Sequence, residues 1–359
     1  MSNNTAPITA HIQAIATAVP DHDVHHAFIG WAEGRLRDPR ERALFRRMAD
    51  RSGIGHRWSV LPRAEDGGSP VGAGGFYAVD PLPPTSARMA IYADAAPRLA
   101  LAAVAGLGPL GRISHIVVAS CTGFVAPGID QIIAAALGLG GEVERTLIGF
   151  MGCYAAVAAL RTAHHIVRSE PEARVLVVTV ELSTLHLQPV DAIEPLLSML
   201  QFGDGAAAAI VTAQPAGIAL DRFFSATLPD SDALIRWTIG DQGFAMHLSG
   251  EVPGRIGKAL ADPAFVDRLS GGRPVGAIDA WAVHAGGRSI LDAVETALDL
   301  PAETLAASRE VLADYGNMSS ATLMFVLKSV LAGEGAANGV AVAFGPGLAA
   351  EGFGFRRLP

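Results

Sequence analysis

A thiol, an imidazole and a carboxamide stand at matching places in two halves of this 359-residue chain. In the first half the run SHIVVASCTG carries Cys121 at its end, and a Gly-Cys step at Cys153 opens the apolar stretch GCYAAVAALRTAHHIV. In the second half DAWAVHAGG ends a β run at His284, and YGNMSSATLMFVLKSVL sets Asn317 ahead of a helical stretch, where Cys153 stood. Cys121 and Cys153 are 32 positions apart, His284 and Asn317 33. After each helix comes another β run, ARVLVVTVEL and then NGVAVAFGPG. Such self-similarity predicts a duplicated unit whose halves turn their loops toward one another, so that the three groups converge.

Converged, they are a set for acyl transfer followed by carbanion chemistry. Sulfur takes an acyl group from a thioester. A helix N-terminus and a cationic His284 are expected to lower the thiol pKa and keep it ionised. The N–H donors of His284 and Asn317 then face the carbonyl of the next thioester and stabilise its enolate. Each such donor is worth roughly 2.7 to 4 kcal/mol in a transition state, enough to decarboxylate a malonyl thioester with no metal and no organic cofactor. Taken singly, the residues have plainer readings: Cys153 as a small core residue, His284 as a packed histidine, Asn317 as a helix cap. Cysteine proteases also use Cys, His and Asn, but a duplicated architecture fits them poorly.

The elements that must position these groups are legible as patterns. β runs at ISHIVVAS, ARVLVVTV, AAAAIVTA, DAWAVHA and GVAVAFG alternate with helical stretches around Met89–Ala105, Asp130–Leu137, Cys153–Val167 and Ser320–Leu331. The β runs are continuously apolar, which predicts strands buried on both faces and hence a layered α/β protein. The AQPAG stretch from Ala213 to Gly217 interrupts the pattern, giving an expected N-terminal half (1–214) with the thiol and a C-terminal half (215–359) with the imidazole and carboxamide. The Gly- and Pro-rich EDGGSPVGAGG, Glu65 to Gly75, is expected to be a surface excursion.

Composition removes several functional classes. Half of the residues are hydrophobic and mean hydropathy is +0.34, but no apolar run reaches the roughly 18 to 20 residues of a membrane span. The N-terminal MSNNTAPITAHIQ has neither the basic stretch nor the apolar block of a signal peptide, so a cytoplasmic location is expected. Two cysteines make no disulfide framework, and no Cys or His spacing suggests zinc. A net charge of −8 argues against nucleic-acid binding. Against that balance, GRLRDPRERALFRRMADRSGIGHR packs eight arginines, Arg47 and Arg51 among them. Such a run is either the solvated face of a helix or a patch for a polyanionic ligand such as a nucleotide-bearing thioester. The two readings are compatible.

The motifs GFMGCYAA, QFGDGAAAAIV, WTIGDQGFAMHLSGEVP, YGNMSSAT and AFGPGLAAEGF, in that order, resemble type III polyketide synthases, the chalcone-synthase-like enzymes of the thiolase fold. The likeness runs from about Arg46 to Phe353. It implies a homodimer with a duplicated five-layered αβαβα core, acyl-CoA starters, malonyl-CoA extender, and no metal or cofactor. By motif position Cys153 resembles the nucleophile, His284 and Asn317 the decarboxylation and oxyanion pair, and Phe202 the aromatic gate between CoA tunnel and cavity. An ordinary core aromatic ahead of the Gly203-Asp204-Gly205 turn is the plainer reading of Phe202. Arg47 and Arg51 match basic CoA contacts, with Leu44 where a third would stand.

Other positions depart from the plant pattern: Met246 replaces a second gating phenylalanine, Cys121 and His186 replace threonines, Ala126 replaces a methionine that crosses the dimer, and Ala285 replaces a proline. Cys121 resembles bacterial members, and is otherwise core filler. Met246 and Ala126 together are expected to open the cavity wall into a channel, which points to medium or long fatty acyl starters and alkylpyrone or alkylresorcinol products. A malonyl-only synthase, a ketosynthase III-like single-condensation enzyme and a non-catalytic acyl-CoA-binding protein remain as alternatives.

Overall fold

The computed structural model describes residues 8–64 and 67–359. The first half supplies strands β1 (His11–Ala18), β2 (His115–Ser120), β3 (Glu144–Gly149), β4 (Val175–Leu182) and β5 (Asp204–Thr212). The second supplies β6 (Ile218–Thr227), a hairpin of β7 (Ile235–Gly240) and β8 (Gly243–Leu248), then β9 (Ala280–Val283), β10 (Ala337–Gly345) and β11 (Ala349–Arg357). All but the hairpin form one sheet in the order β9-β10-β11-β6-β1-β5-β4-β2-β3.

Its two sides are copies. β1, β5, β4 and β2 run antiparallel, antiparallel, parallel, and so do β6, β11, β10 and β9. β3 extends only the first copy, pairing parallel to β2. The halves join where β1 and β6 pair at His11–Ala219 and Ile12–Ile218, at the edge of the stretch Ala213–Gly217.

Strand geometry sorts neighbouring side chains to opposite faces, and the core shows it residue by residue. Val117 and Ala119 of β2 pack with Ala341 and Ala343 of β10 around two central helices, Ala155–Ser169 and Ser320–Leu331. Ile116 and Val118 instead face an outer helix, Thr85–Ala105. Val340 and Val342 face the opposite outer layer, with helices Val252–Leu260 and Arg288–Ala297. Outer helix, the β2 half of the sheet, the central helix pair, the β10 half of the sheet, outer helices: these are the five layers of a thiolase-like fold. The continuously apolar β runs follow from this burial on both faces. Among the described residues no helix is long and apolar enough to cross a membrane.

The expected surface excursion behaves differently. Glu65 and Asp66 lie outside the described residues, but Ser69, Pro70 and Val71 line an internal cavity. A Cβ on Gly75 would sit 2.5 Å from the Pro70 carbonyl oxygen, so the glycine there serves a tight fold-back of the loop.

Candidate active site

Cys153 follows β3 through a left-handed bend, Phe150 at φ +57° and Gly152 at φ +69°. It occupies a short 3-10 turn, Gly152–Tyr154, that leads into the central helix Ala155–Ser169. A Cβ on Gly152 would lie 2.5 Å from Cδ of Pro346, and one on Gly345 2.7 Å from the Tyr154 ring. The Gly345-Pro346 turn of the second half therefore closes directly onto the turn that carries the thiol.

Asn317 is placed by backbone from both sides. Its N–H donates to the Gln201 carbonyl (2.8 Å) and its carbonyl accepts from Gly203 N–H (3.0 Å). A Cβ on Gly205 would meet Met318 Sδ at 2.3 Å, so the Gly203-Asp204-Gly205 turn lets the Asn317 loop come close. The Asn317 amide donates from Nδ2 to the Gly286 carbonyl (3.1 Å), and its Oδ1 accepts from Ser319 N–H (2.8 Å). His284 follows β9, is 1% exposed, and has no hydrogen-bond partner on either ring nitrogen. Buried polar groups are nearly always paired, so an orphaned imidazole marks a place kept for a ligand atom.

Ser319 shares the chamber wall with the Cys153 thiol, and the side chains of Ser319 and Asn317 both act to lower its pKa. His284 is linked to this group through Gly286, whose N–H donates to the His284 carbonyl (2.9 Å) and whose own carbonyl accepts from Asn317. The expected ionised thiol is not what this environment favours. Burial pushes Cys153 up to about 11, although the Ser319 and Asn317 side chains pull the other way. Burial likewise pushes His284 down to about 3. Enclosure disfavours charge on either group, including the His284 cation on which the expectation partly rested.

Two spaces adjoin here, and a third is lined by Gln201 and Gly286, the residues that hold Asn317. A chamber of about 20 Å³ is bounded by Cys121, Cys153, Phe202, Met246, Ser319 and Pro346. Beyond it lies a cavity of about 240 Å³ with Phe28, Leu61, Val71, Leu187, Met199 and Phe244 in its wall. Phe202, Met246, Trp237 and Ser183 line both. On the outer side, a cleft of about 890 Å³ is lined by Arg47, Arg51 and Arg288 and floored by Gly286 and Gly287. Arg47 and Arg51 make no ion pair among the described residues, whereas neighbouring Arg46 is tied to Glu33 at 2.6 Å.

The family model for the N-terminal domain of chalcone and stilbene synthases matches residues 2–215, and that for the C-terminal domain matches 220–359. The chain belongs to the chalcone and stilbene synthase family. It is 36% identical to the "Alpha-pyrone synthesis polyketide synthase-like Pks18" of Mycobacterium tuberculosis over 68% of this chain, and spans 65% of that relative's length. It is 34% identical to "Type III polyketide synthase C" of Arabidopsis thaliana over 78% of each. The crystal structure of PKS-I from the brown alga Ectocarpus siliculosus superposes with a TM-score of 0.86 at 30% identity, covering 99% of this chain and 100% of that one.

Within this family member the pocket residues divide. Phe202 and Met246 form the wall between chamber and cavity, and Cys121 bounds the chamber. His186 lines the cavity, but its Nε2 contacts the Thr122 carbonyl (2.7 Å), its Nδ1 accepts from Phe244 N–H (3.0 Å) and its ring stacks on Phe244. With both nitrogens used and its pKa lowered to about 3 by burial, it is a neutral wall residue. Ala126 lines neither space. After β2 the chain turns outward, leaving Ala126 exposed and Phe124 53% exposed, so the expected contribution of Ala126 to a channel does not hold for the single chain.

Three further residues at the site escaped the sequence reading. Ser319, at φ +48°, shares the chamber wall with the thiol. Arg288 adds a third cation to the cleft, donates to the Arg51 carbonyl (3.2 Å) and lies 3.5 Å from Asp292. Glu181 is fully buried at the end of β4, accepting from Cys121 N–H and the Thr122 hydroxyl (2.9 Å each) and from the Ser320 hydroxyl. A lone carboxylate inside the apolar run ARVLVVTVEL was the available signal.

Proposed function

We propose that this chain is an acyltransferase, a type III polyketide synthase that condenses malonyl-CoA repeatedly onto a medium or long fatty acyl-CoA and cyclises the product to an alkylpyrone or alkylresorcinol. One observation carries the reading: the Cys153 chamber shares Phe202 and Met246 with an apolar cavity, while Asn317 is held by Gln201 and Gly286 of a cationic cleft. Arg47, Arg51 and Arg288 suit the CoA phosphates. Cys153 sulfur attacks the starter carbonyl, the bond from that carbonyl to CoA sulfur breaks, and His284 carries the thiol proton to the departing CoA. Malonyl-CoA then loses carbon dioxide. Its enolate oxygen is held by His284 and Asn317, and its carbon attacks the acyl carbonyl on Cys153, which leaves as sulfur. The lengthening chain and the starter tail occupy the apolar cavity.

The name of the mycobacterial relative, an alpha-pyrone synthesis protein, agrees with a pyrone product. A homodimer suits the unpaired outer edge of β3, where Leu147 is 49% exposed. Mass spectrometry of products from malonyl-CoA with hexanoyl- to palmitoyl-CoA tests the proposal. Cyclised tri- or tetraketides carrying the fatty tail are expected. A single β-ketoacyl product would assign a ketosynthase III-like reaction, and preference for malonyl-CoA or an aromatic starter over every fatty one would remove the fatty starter.

A further inference from the structure

At the end of the sheet away from Cys153, His115 begins β2, Glu144 begins β3 directly beside it in register, and Glu170 follows the last residue of the central helix. One ligand atom from each lies within 4.8 Å of the others. His115 is 5% exposed, and its Nε2 lies 3.7 Å from Glu144 and 3.8 Å from Glu170. Both are too long for hydrogen bonds. Neither glutamate has another ion-pair partner among the described residues. Ser114 Oγ lies 2.9 Å from His115 Nδ1, accepts from Arg174 N–H (3.0 Å) and faces the Arg174 carbonyl.

We propose that these three residues bind a divalent transition cation of the zinc class. With the Ser114 proton directed at the Arg174 carbonyl, Nδ1–H is the donor to Ser114, and the Nε2 lone pair faces two carboxylates. That is the second-shell arrangement by which a ligating histidine is fixed. A shared cation about 2.0 to 2.2 Å from one nitrogen and two oxygens, completed by water, needs only a small rotation of the exposed glutamates. It would clamp the starts of two strands to the far end of the helix that begins at Cys153, and it takes no part in condensation.

The test is Zn²⁺ titration of chelator-treated full-length protein by calorimetry and metal analysis, with thermal unfolding followed in parallel. One Zn²⁺ per chain and a higher Tm with Zn²⁺ are expected. Glu144→Gln and Glu170→Gln, both at exposed sites, should each weaken binding at least about tenfold, abolish the Tm rise and leave condensing activity unchanged. His115→Ala should remove the site. Co²⁺ should show no thiolate-to-metal charge-transfer band. Absence of stoichiometric binding, binding indifferent to the glutamate variants, or a thiolate band from Cys121 or Cys153 would overturn the proposal.

Discussion

Decarboxylation of malonyl-CoA without a starter isolates what His284 and Asn317 do. The donor count follows from the structure. The Asn317 amide has two N–H bonds, one of which is spent on the Gly286 carbonyl at 3.1 Å. One remains. Neutral imidazole has a single N–H, burial holds His284 in that form, and neither of its nitrogens is engaged. In the proposed reaction these two donors face the enolate oxygen, each worth about 10²- to 10³-fold in rate. His284→Ala and Asn317→Ala should each slow acetyl-CoA release from malonyl-CoA by that factor, measured by liquid chromatography of the CoA esters. His284→Gln, which restores an N–H, should lose less than His284→Ala. Cys153→Ala removes sulfur but neither donor, so release should persist while all chain extension stops. If Cys153→Ala extended a starter at the wild-type rate, or Asn317→Ala released acetyl-CoA within about threefold of wild type, the assignment of roles would fail.

The cleft predicts that Arg47→Ala with Arg51→Ala raises KM for acyl-CoA and malonyl-CoA far more than it lowers kcat; an equal loss with a pantetheine thioester lacking the nucleotide would contradict phosphate binding. Met246→Trp should shorten the longest starter accepted while leaving malonyl decarboxylation intact, read from product masses across a fatty acyl series; an unchanged series would remove Met246 from the channel wall. Glu181 predicts a pH dependence of stability. Burial raises its folded pKa from 4.5 to about 7, so the native state binds this proton more tightly than the unfolded chain. Its contribution is full below pH 4.5, falls as pH rises toward 7 and levels off above, by about 3 kcal/mol in all. Glu181→Gln should flatten that part of a urea-unfolding profile, and an unaltered slope would show that Glu181 does not titrate there.

How much was legible in the sequence depended on whether backbone pattern or burial decided the feature. The five β runs and the helix Ser320–Leu331 fall where continuous apolar runs and helical spacing put them, because strand and helix burial is written into residue type. The repeat spacing placed Asn317 opposite Cys153, and in the structure both stand just ahead of a central helix. Charge state was not legible. It depends on enclosure by residues distant in sequence, so the helix terminus suggested an acidic thiol where burial acts in the opposite direction. Ala126 illustrates a related point: residue type says how large a side chain is, and in the single chain its loop turns outward. Ser319 and Arg288 have ordinary side chains in ordinary contexts, and only the bend at Ser319 and the cleft around Arg288 single them out.

The duplication also explains why Glu181 sits where it does. Two copied halves can bring their helix starts together, but apolar packing alone does not fix their register to within a hydrogen-bond length. Glu181 draws Cys121 N–H and the Thr122 hydroxyl from the first half and the Ser320 hydroxyl from the second. Ser320 follows the residue that shares the chamber wall with the Cys153 thiol, and the Cys121 thiol accepts from Gly152 N–H at 3.0 Å, one residue before Cys153. A single carboxylate therefore ties both walls of the reaction chamber. Among the described residues no cation pairs with it, and burying an unpaired charge is costly even with three donors. That cost appears as its raised pKa, and the directional bonds that offset part of it position the thiol between Ser319 and Asn317.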